Sequence, residues 1–213
     1  MFGKKSIINT GLLDLRNYSP TALEKIKLIN AGTIILPSDA DKEFYEAYAA
    51  IKVNTGSTIK LKTEEIICTV NGFSIIDSTT VKPETVYLVN GAALIHSISQ
   101  DTHIKLIVNG AAFIDKSSEV EFLSTNGSVI KTEFDIDNSK FYTQNLQIDT
   151  QFVSYCEENC TIIVANTLTF TPDVTTKDLE DKKLHFIVGN TIKCNNSLYG
   201  YIAANSQFGN KIV

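Results

Sequence analysis

Three eight-residue segments of this chain are near copies of one another. They are Val70-Asn71-Gly72-Phe73-Ser74-Ile75-Ile76-Asp77, Val89-Asn90-Gly91-Ala92-Ala93-Leu94-Ile95-His96 and Val108-Asn109-Gly110-Ala111-Ala112-Phe113-Ile114-Asp115. They recur at a constant step of 19 residues, and Thr125-Asn126-Gly127-Ser128-Val129-Ile130 follows after 17. A fixed step of this kind is the mark of stacked structural repeats. Looser versions precede the copies at Asn9, Asn30 and Asn54, and weaker ones follow at Asn145, Asn166, Asn190 and Asn210. The eleven asparagines are spaced 17 to 24 residues apart.

Inside each copy the apolar residues alternate, as in Ile66, Cys68, Val70 and in Ile104, Leu106, Val108. Period two argues for strands with one buried face. Asn-Gly reads as a turn in which both residues accept positive φ. The same dipeptide is also the strongest hairpin signal, so an antiparallel meander, sandwich or barrel stands as the alternative. The constant step favours coils. The expectation is a mainly β chain: a parallel β-helix or solenoid of about 20-residue coils, with two N-terminal helices capping or interleaving the first coils. Stacked strands lie ~4.8 Å apart, so eleven rungs would make a rod of ~50 Å. Equivalent asparagines would then hydrogen-bond along the axis. The residues read as this structural ladder are Asn54, Asn71, Asn90, Asn109 and Asn126.

The first third is read as part of the same domain. Residues 1–65 form strand–helix repeats or a cap, and residues 66–213 form the body. Ser19-Pro20 is a helix start, with Ser as N-cap and Pro at the first helical position. Leu23, Ile26 and Ile29 recur at helical spacing after it, which predicts a helix over Ser19–Ile29. A second helix is expected from Ser38 or Asp39 through Ile51. Near the other end, Thr176–Lys183 reads as a charged loop or short helix.

Composition narrows the function classes. The net charge is −5 and Arg16 is the only arginine. Phosphate and base recognition lean on arginine's bidentate fork, so nucleic acid is not an expected partner. No run approaches the ~18 apolar residues of a membrane span. Met-Phe-Gly-Lys-Lys lacks the apolar stretch of a signal peptide. The expected setting is cytoplasmic, with Cys68, Cys156, Cys160 and Cys194 reduced.

Chemistry-bearing residues are sparse. Cys156-Glu-Glu-Asn-Cys160 has a metal-like gap but no second pair, and Cys68 and Cys194 sit singly on apolar strands. No metal and no cofactor is expected. The repeat register does align Asp77, His96 and Asp115. This polar column is the best candidate for a site, and Asp135 and Asp137 follow one rung later. Clustered carboxylates on one face are what polysaccharide-cleaving β-helices require. The competing reading is that polar residues end each strand after Ile76, Ile95 and Ile114. No catalytic residue is assigned.

The repeats around Asn71, Asn90 and Asn109 resemble those of small cytoplasmic β-solenoids such as the bactofilins. The resemblance covers residues 60–135 and lies in architecture and repeat length. It implies a scaffold rather than an enzyme. The two N-terminal helices depart from that family, which bears on end-to-end polymerisation. The functional expectation is a non-enzymatic structural or protein-interaction scaffold, engaging a protein partner or itself through a solenoid end. A carbohydrate-binding or carbohydrate-cleaving parallel β-helix is the alternative.

Overall fold

A computed structural model describes residues 5–213. The chain is mainly β, with parallel sheets and five α-helices among the described residues. It divides into two compact units, Met1–Ile66 and Ile67–Val213.

The first unit is a parallel sheet of β1 (Ser6–Asp14), β2 (Ile26–Pro37) and β3 (Lys52–Leu61), with β2 in the middle. Asn9, Asn30 and Asn54 stand in register across it. The strands run straight through their Asn-x-Gly segments, where a turn was expected. Helix α1 is only Pro20–Leu23, with the Ser19 hydroxyl accepting from the Ala22 N–H at 3.3 Å. The expected helix to Ile29 is therefore corrected. Ile26 and Ile29 are buried from strand β2, and a bulge explains their helical spacing. Ser6 pairs with Ile26 but Ile7 pairs with Leu28, so Lys27 is an extra residue that turns a three-residue gap into one face. Helix α2 is Lys42–Ala49, capped by Asp41, and it buries Phe44.

Arg16 proves to be a structural clamp of this unit. Its guanidinium forks onto Asp14, with Nη2 to Oδ2 at 2.9 Å, and its side chain is 7% exposed. Nη1 donates to the carbonyls of Lys62 and Glu65 at 2.9 and 2.7 Å. It thus ties the end of β1 to the segment after β3. Nearly every donor of the fork is spent inside the fold, so the lone arginine is not offered to a ligand.

The second unit contains four four-stranded parallel sheets arranged as two columns. In the first column one wall is β4 (Ile66–Val70), β6 (Thr85–Val89), β8 (Lys105–Val108) and β10 (Glu121–Thr125). The other wall is β5 (Phe73–Ile76), β7 (Ala92–Ile95), β9 (Ala111–Asp115) and β11 (Ser128–Thr132). Strands joined by Asn-Gly, such as β6 and β7, enter different walls. Each pairs with the equivalent strand one repeat away, in parallel, as in Leu94↔Phe113. That pairing replaces the hairpin alternative. Val89, Ile95, Leu106, Val108 and Ile114 fill the space between the walls.

In the second column one wall is β12 (Ser139–Tyr142), β14 (Thr161–Val164), β16 (His185–Val188) and β18 (Ser206–Phe208). The other is β13 (Leu146–Ile148), β15 (Leu168–Phe170), β17 (Thr191–Lys193) and β19 (Lys211–Ile212). Helices α3 (Thr150–Ser154), α4 (Thr176–Lys182) and α5 (Tyr199–Ala204) link successive rungs. They close the column core with Val153, Leu179 and Ile202. A capping box of Thr175 and Asp178 starts α4.

The β5–β11 wall packs against the β12–β18 wall. Leu94, Phe113, Ile130, Ile163 and Ile187 form the shared core. The rungs are in step. Phe73 of the first rung stacks on Phe141 of β12, with centroids 4.1 Å apart, and Ser128 of the last rung lies against Gly209 just after β18. Residues 133–138 return the chain from last rung to first, and Phe134 and Ile136 pack on the shared core. A single stack of eleven rungs is thereby corrected to sheets of three or four strands.

Candidate functional site

At the Asn-Gly turns the carbonyl of each rung receives two N–H groups from the next. Val70 O accepts from Asn90 and Gly91, Val89 O from Asn109 and Gly110, and Val108 O from Asn126 and Gly127, all at 2.8–3.1 Å. The asparagine side chains then bond rung to rung. Asn90 Nδ2 donates to Asn71 Oδ1 at 3.0 Å, Asn109 to Asn90 at 3.0 Å, and Asn126 to Asn109 at 3.4 Å. Asn54 lies in the other sheet, beside Asn30, where Asn30 Nδ2 donates to Asn9 Oδ1 at 2.7 Å. Asn71, Asn90 and Asn126 are exposed. Such neutral surface bonds contribute on the order of 0.5–1 kcal/mol each.

The glycines serve a different purpose from the one expected. No glycine among the described residues has positive φ. What excludes a side chain is the neighbouring rung: a Cβ on Gly91, Gly110 or Gly127 would lie 1.9–2.0 Å from the carbonyl oxygen of the preceding glycine. Close stacking, not turn conformation, demands glycine here.

The second column carries its own ladder at the same edge. Asn190 Nδ2 donates to Asn166 Oδ1 and Asn210 Nδ2 to Asn190 Oδ1, both at 3.1 Å. At the foot of the series, Asn145 Oδ1 accepts from the Thr167 N–H at 3.2 Å. Here the small residue precedes the asparagine, in Ala165-Asn166, Gly189-Asn190 and Gly209-Asn210. The inverted order weakens the likeness to Asn-Gly, so that in the sequence these positions read only as faint continuations of the asparagine series. Between the two ladders runs a groove of about 470 Å³. Asn71, Gly91 and Gly110 line one side and Asn166, Gly189 and Asn190 the other, with Thr143 and Gln144 also at its wall.

Asp77, His96 and Asp115 occupy the far end of the same wall, where residues 133–138 cross. They are stacked in register, and His96 Nε2 lies 3.8 Å from Asp77 Oδ2. Both carboxylates are engaged locally. Asp77 Oδ1 accepts from the hydroxyl and N–H of Thr79 and from those of Thr80. These bonds, Thr79's hydroxyl first, hold its pKa down at about 2. Burial works against the ionised form of Asp115, yet the hydroxyl and N–H of Ser117 and the N–H of Phe134 outweigh it and keep the carboxyl below its usual range. Carboxylates held ionised by turn donors make poor general acids. The column reads as strand-ending chemistry.

This arrangement sets an acid response. Asp77 has a folded pKa of about 2 against an ordinary 3.8, so its contribution to stability is present above 3.8 and is lost as pH falls through 2. Thermal melts between about pH 5 and pH 2 should show the wild type losing stability across that window, while Asp77→Asn starts lower and falls less steeply. Parallel curves for the two proteins would remove Asp77 from the acid response. Asp173, also near 2 through the hydroxyls of Thr171 and Thr150, should behave likewise.

Cys156 and Cys160 belong to the second column's core, where burial pushes both thiols up. Among the described residues no group of three or more His, Cys, Asp or Glu is placed to hold a metal ion. No helix among them is long and apolar enough to cross a membrane. Comparison with protein-family models, with curated proteins and with solved structures finds no match.

Proposed function

We propose that residues 67–213 are two short parallel β-solenoid columns, and that they act as a non-enzymatic scaffold which pairs with a second copy through its last rung. The observation that carries this reading is the set of edges there. Strands β10, β11, β18 and β19 each end their sheet, side by side at one end of the two columns. A terminal strand presents unpaired N–H and C=O groups that recruit further strands. Phe122 and Phe208 on these strands are 43% and 37% exposed. A single strand from another protein could satisfy one such edge. A second copy, turned about a two-fold axis, presents four edges at matching spacing, and a closed two-fold contact stops at a dimer. A cytoplasmic setting suits the four free cysteines.

Analytical ultracentrifugation over a concentration series tests the reading. The wild type should sediment as a dimer. Phe122→Lys combined with Phe208→Lys places charges on the edge, a standard block to strand addition, and should sediment as a monomer with unchanged circular dichroism. A wild type that stays monomeric at the highest concentration overturns the proposal.

A further inference from the structure

We propose that Asn71 is a self-modification site. Its side chain cyclises onto the backbone nitrogen of Gly72, and the ring opens in water to aspartate or isoaspartate, while the other Asn-Gly pairs of the repeat are protected. This inference does not rest on pairing through the last rung, because Asn71 stands on the first.

Asn-Gly is the dipeptide in which this reaction meets least obstruction. The nitrogen of the following residue attacks the side-chain carbon Cγ, and glycine brings no side chain to hinder the approach or the backbone rotation it needs. The chain has such pairs at Asn71, Asn90, Asn109 and Asn126. Sequence alone ranks them equally. Exposure does not separate them either, since Asn71, Asn90 and Asn126 are all exposed.

The hydrogen bonds do separate them. The N–H groups of Gly91, Gly110 and Gly127 donate to the carbonyls of Val70, Val89 and Val108 at 3.0–3.1 Å. A nitrogen held in this way can neither give its proton to solvent base nor swing toward Cγ unless the rung opens locally. Gly72 begins the column, so no preceding rung of its sheets receives its N–H. That N–H has no hydrogen-bond partner among the described residues. A Cβ built on Gly72 would meet nothing within 4 Å, so the space for rotation is there.

The polarity of the ladder adds a second distinction. Every amide donates toward the first rung, so Nδ2 of Asn90, Asn109 and Asn126 is tied to the oxygen of the asparagine before it. Asn71 is the foot of the series. Its Oδ1 accepts from Asn90 at 3.0 Å, which polarises the carbonyl and makes Cγ more electrophilic. Its Nδ2 donates to nothing among the described residues. The nitrogen that must leave is therefore free at Asn71 and held at the other three.

Solvent base removes the proton from the Gly72 nitrogen. The nitrogen attacks Cγ of Asn71, the new N–Cγ bond closes a cyclic imide, and the Cγ–Nδ2 bond breaks. Nδ2 takes a proton from water and departs as ammonia. Water then adds to either imide carbonyl. Addition at Cγ releases the main-chain peptide bond and leaves aspartate. Addition at the main-chain carbonyl leaves isoaspartate, with an extra carbon in the backbone. The net change is a water consumed and an ammonia released. Aspartate keeps an acceptor for Asn90 and makes that bond charge-assisted. Isoaspartate lengthens the turn between β4 and β5 and disturbs the register of the first rung.

The test incubates the full chain at mildly alkaline pH and physiological temperature and samples it over days. Peptide mapping by mass spectrometry reads conversion at each of the four asparagines, and electron-transfer fragmentation separates aspartate from isoaspartate. In denaturant the four sites should convert at similar rates. In the folded chain Asn71 should convert about tenfold or more faster than Asn90 and Asn109. Gly72→Ala, which the open space at the first rung accommodates, should keep the circular dichroism and slow conversion at Asn71 severalfold by crowding the attacking nitrogen. The proposal is overturned if Asn71 in the folded chain converts no faster than Asn90, if conversion is fastest at Asn126, or if Gly72→Ala leaves the rate at Asn71 unchanged. A folded chain that converts nowhere while the denatured chain converts fully overturns it as well.

Discussion

Replacing Gly110 by alanine should lower the stability of the second unit by ~3 kcal/mol or more, whereas the same change at Gly72 should be nearly silent. The two glycines occupy equivalent places in the first and third copies of the repeat. Their surroundings differ. A Cβ on Gly110 would sit 1.9 Å from the carbonyl oxygen of Gly91 and 2.8 Å from that of Asn90, while a Cβ on Gly72 meets nothing within 4 Å. Gly72 is on the first rung, with no glycine of this column before it. The offending atoms at Gly110 are backbone, held by paired strands on both sides, so they cannot swing away as a side chain would. Neither glycine has positive φ, and alanine is free to adopt either backbone conformation. At Gly72 only the entropy of the unfolded chain changes, which favours alanine by about 0.4–1 kcal/mol. The melting temperature should drop on the order of 10 °C for Gly110→Ala and hold or rise slightly for Gly72→Ala. Equal shifts in the two variants would mean that stacking distance is not what the repeat's glycines serve.

The same contrast shows how much of the molecule is legible in its sequence. The constant step from Asn71 to Asn90 to Asn109 carries the in-register parallel pairing, because rungs of equal length stack equivalent residues. It carries the amide bonds between those residues for the same reason. It does not carry the break between columns. Glu133-Phe-Asp-Ile-Asp-Asn138 alternates polar and apolar like any strand, yet it is the return segment, and its apolar residues point into a core that exists only once the two columns meet. Nor does it carry the purpose of the glycines, since Asn-Gly is equally at home in a hairpin. The candidate groove was hidden by order: Gly189 and Gly209 stand before their asparagines, and only the folded chain brings the two ladders to one edge. The Asp77, His96 and Asp115 column was visible, but the donors that occupy its carboxylates come from threonines and serines two and three residues on, in loops whose shape the period does not report.

The strongest effect expected from a side-chain deletion lies at the seam between columns. Phe113 is completely buried there, with its ring edge-on to Phe141 at 5.7 Å and 78°. It packs with Leu94 and Ile130 of its own wall and with Ile163 and Ile187 of the facing one. Phe113→Ala should cost ~3–5 kcal/mol, the lost transfer energy plus the cavity that rigid strands cannot close. Phe73→Ala, which removes a half-exposed ring from the same aromatic group, should cost no more than ~1–1.5 kcal/mol. Hydrogen exchange separates the seam from the columns. In Phe113→Ala, amides of β9 and β16 should lose protection together, because each wall depends on the other to bury its outer face. Amides of β15 and β17, on the far wall of the second column, should lose less, since Ile162, Leu168 and Phe186 still enclose them. If β9 alone were affected and β16 kept its protection, the two columns would be separate bodies in contact. The groove between their ladders would then have no fixed width.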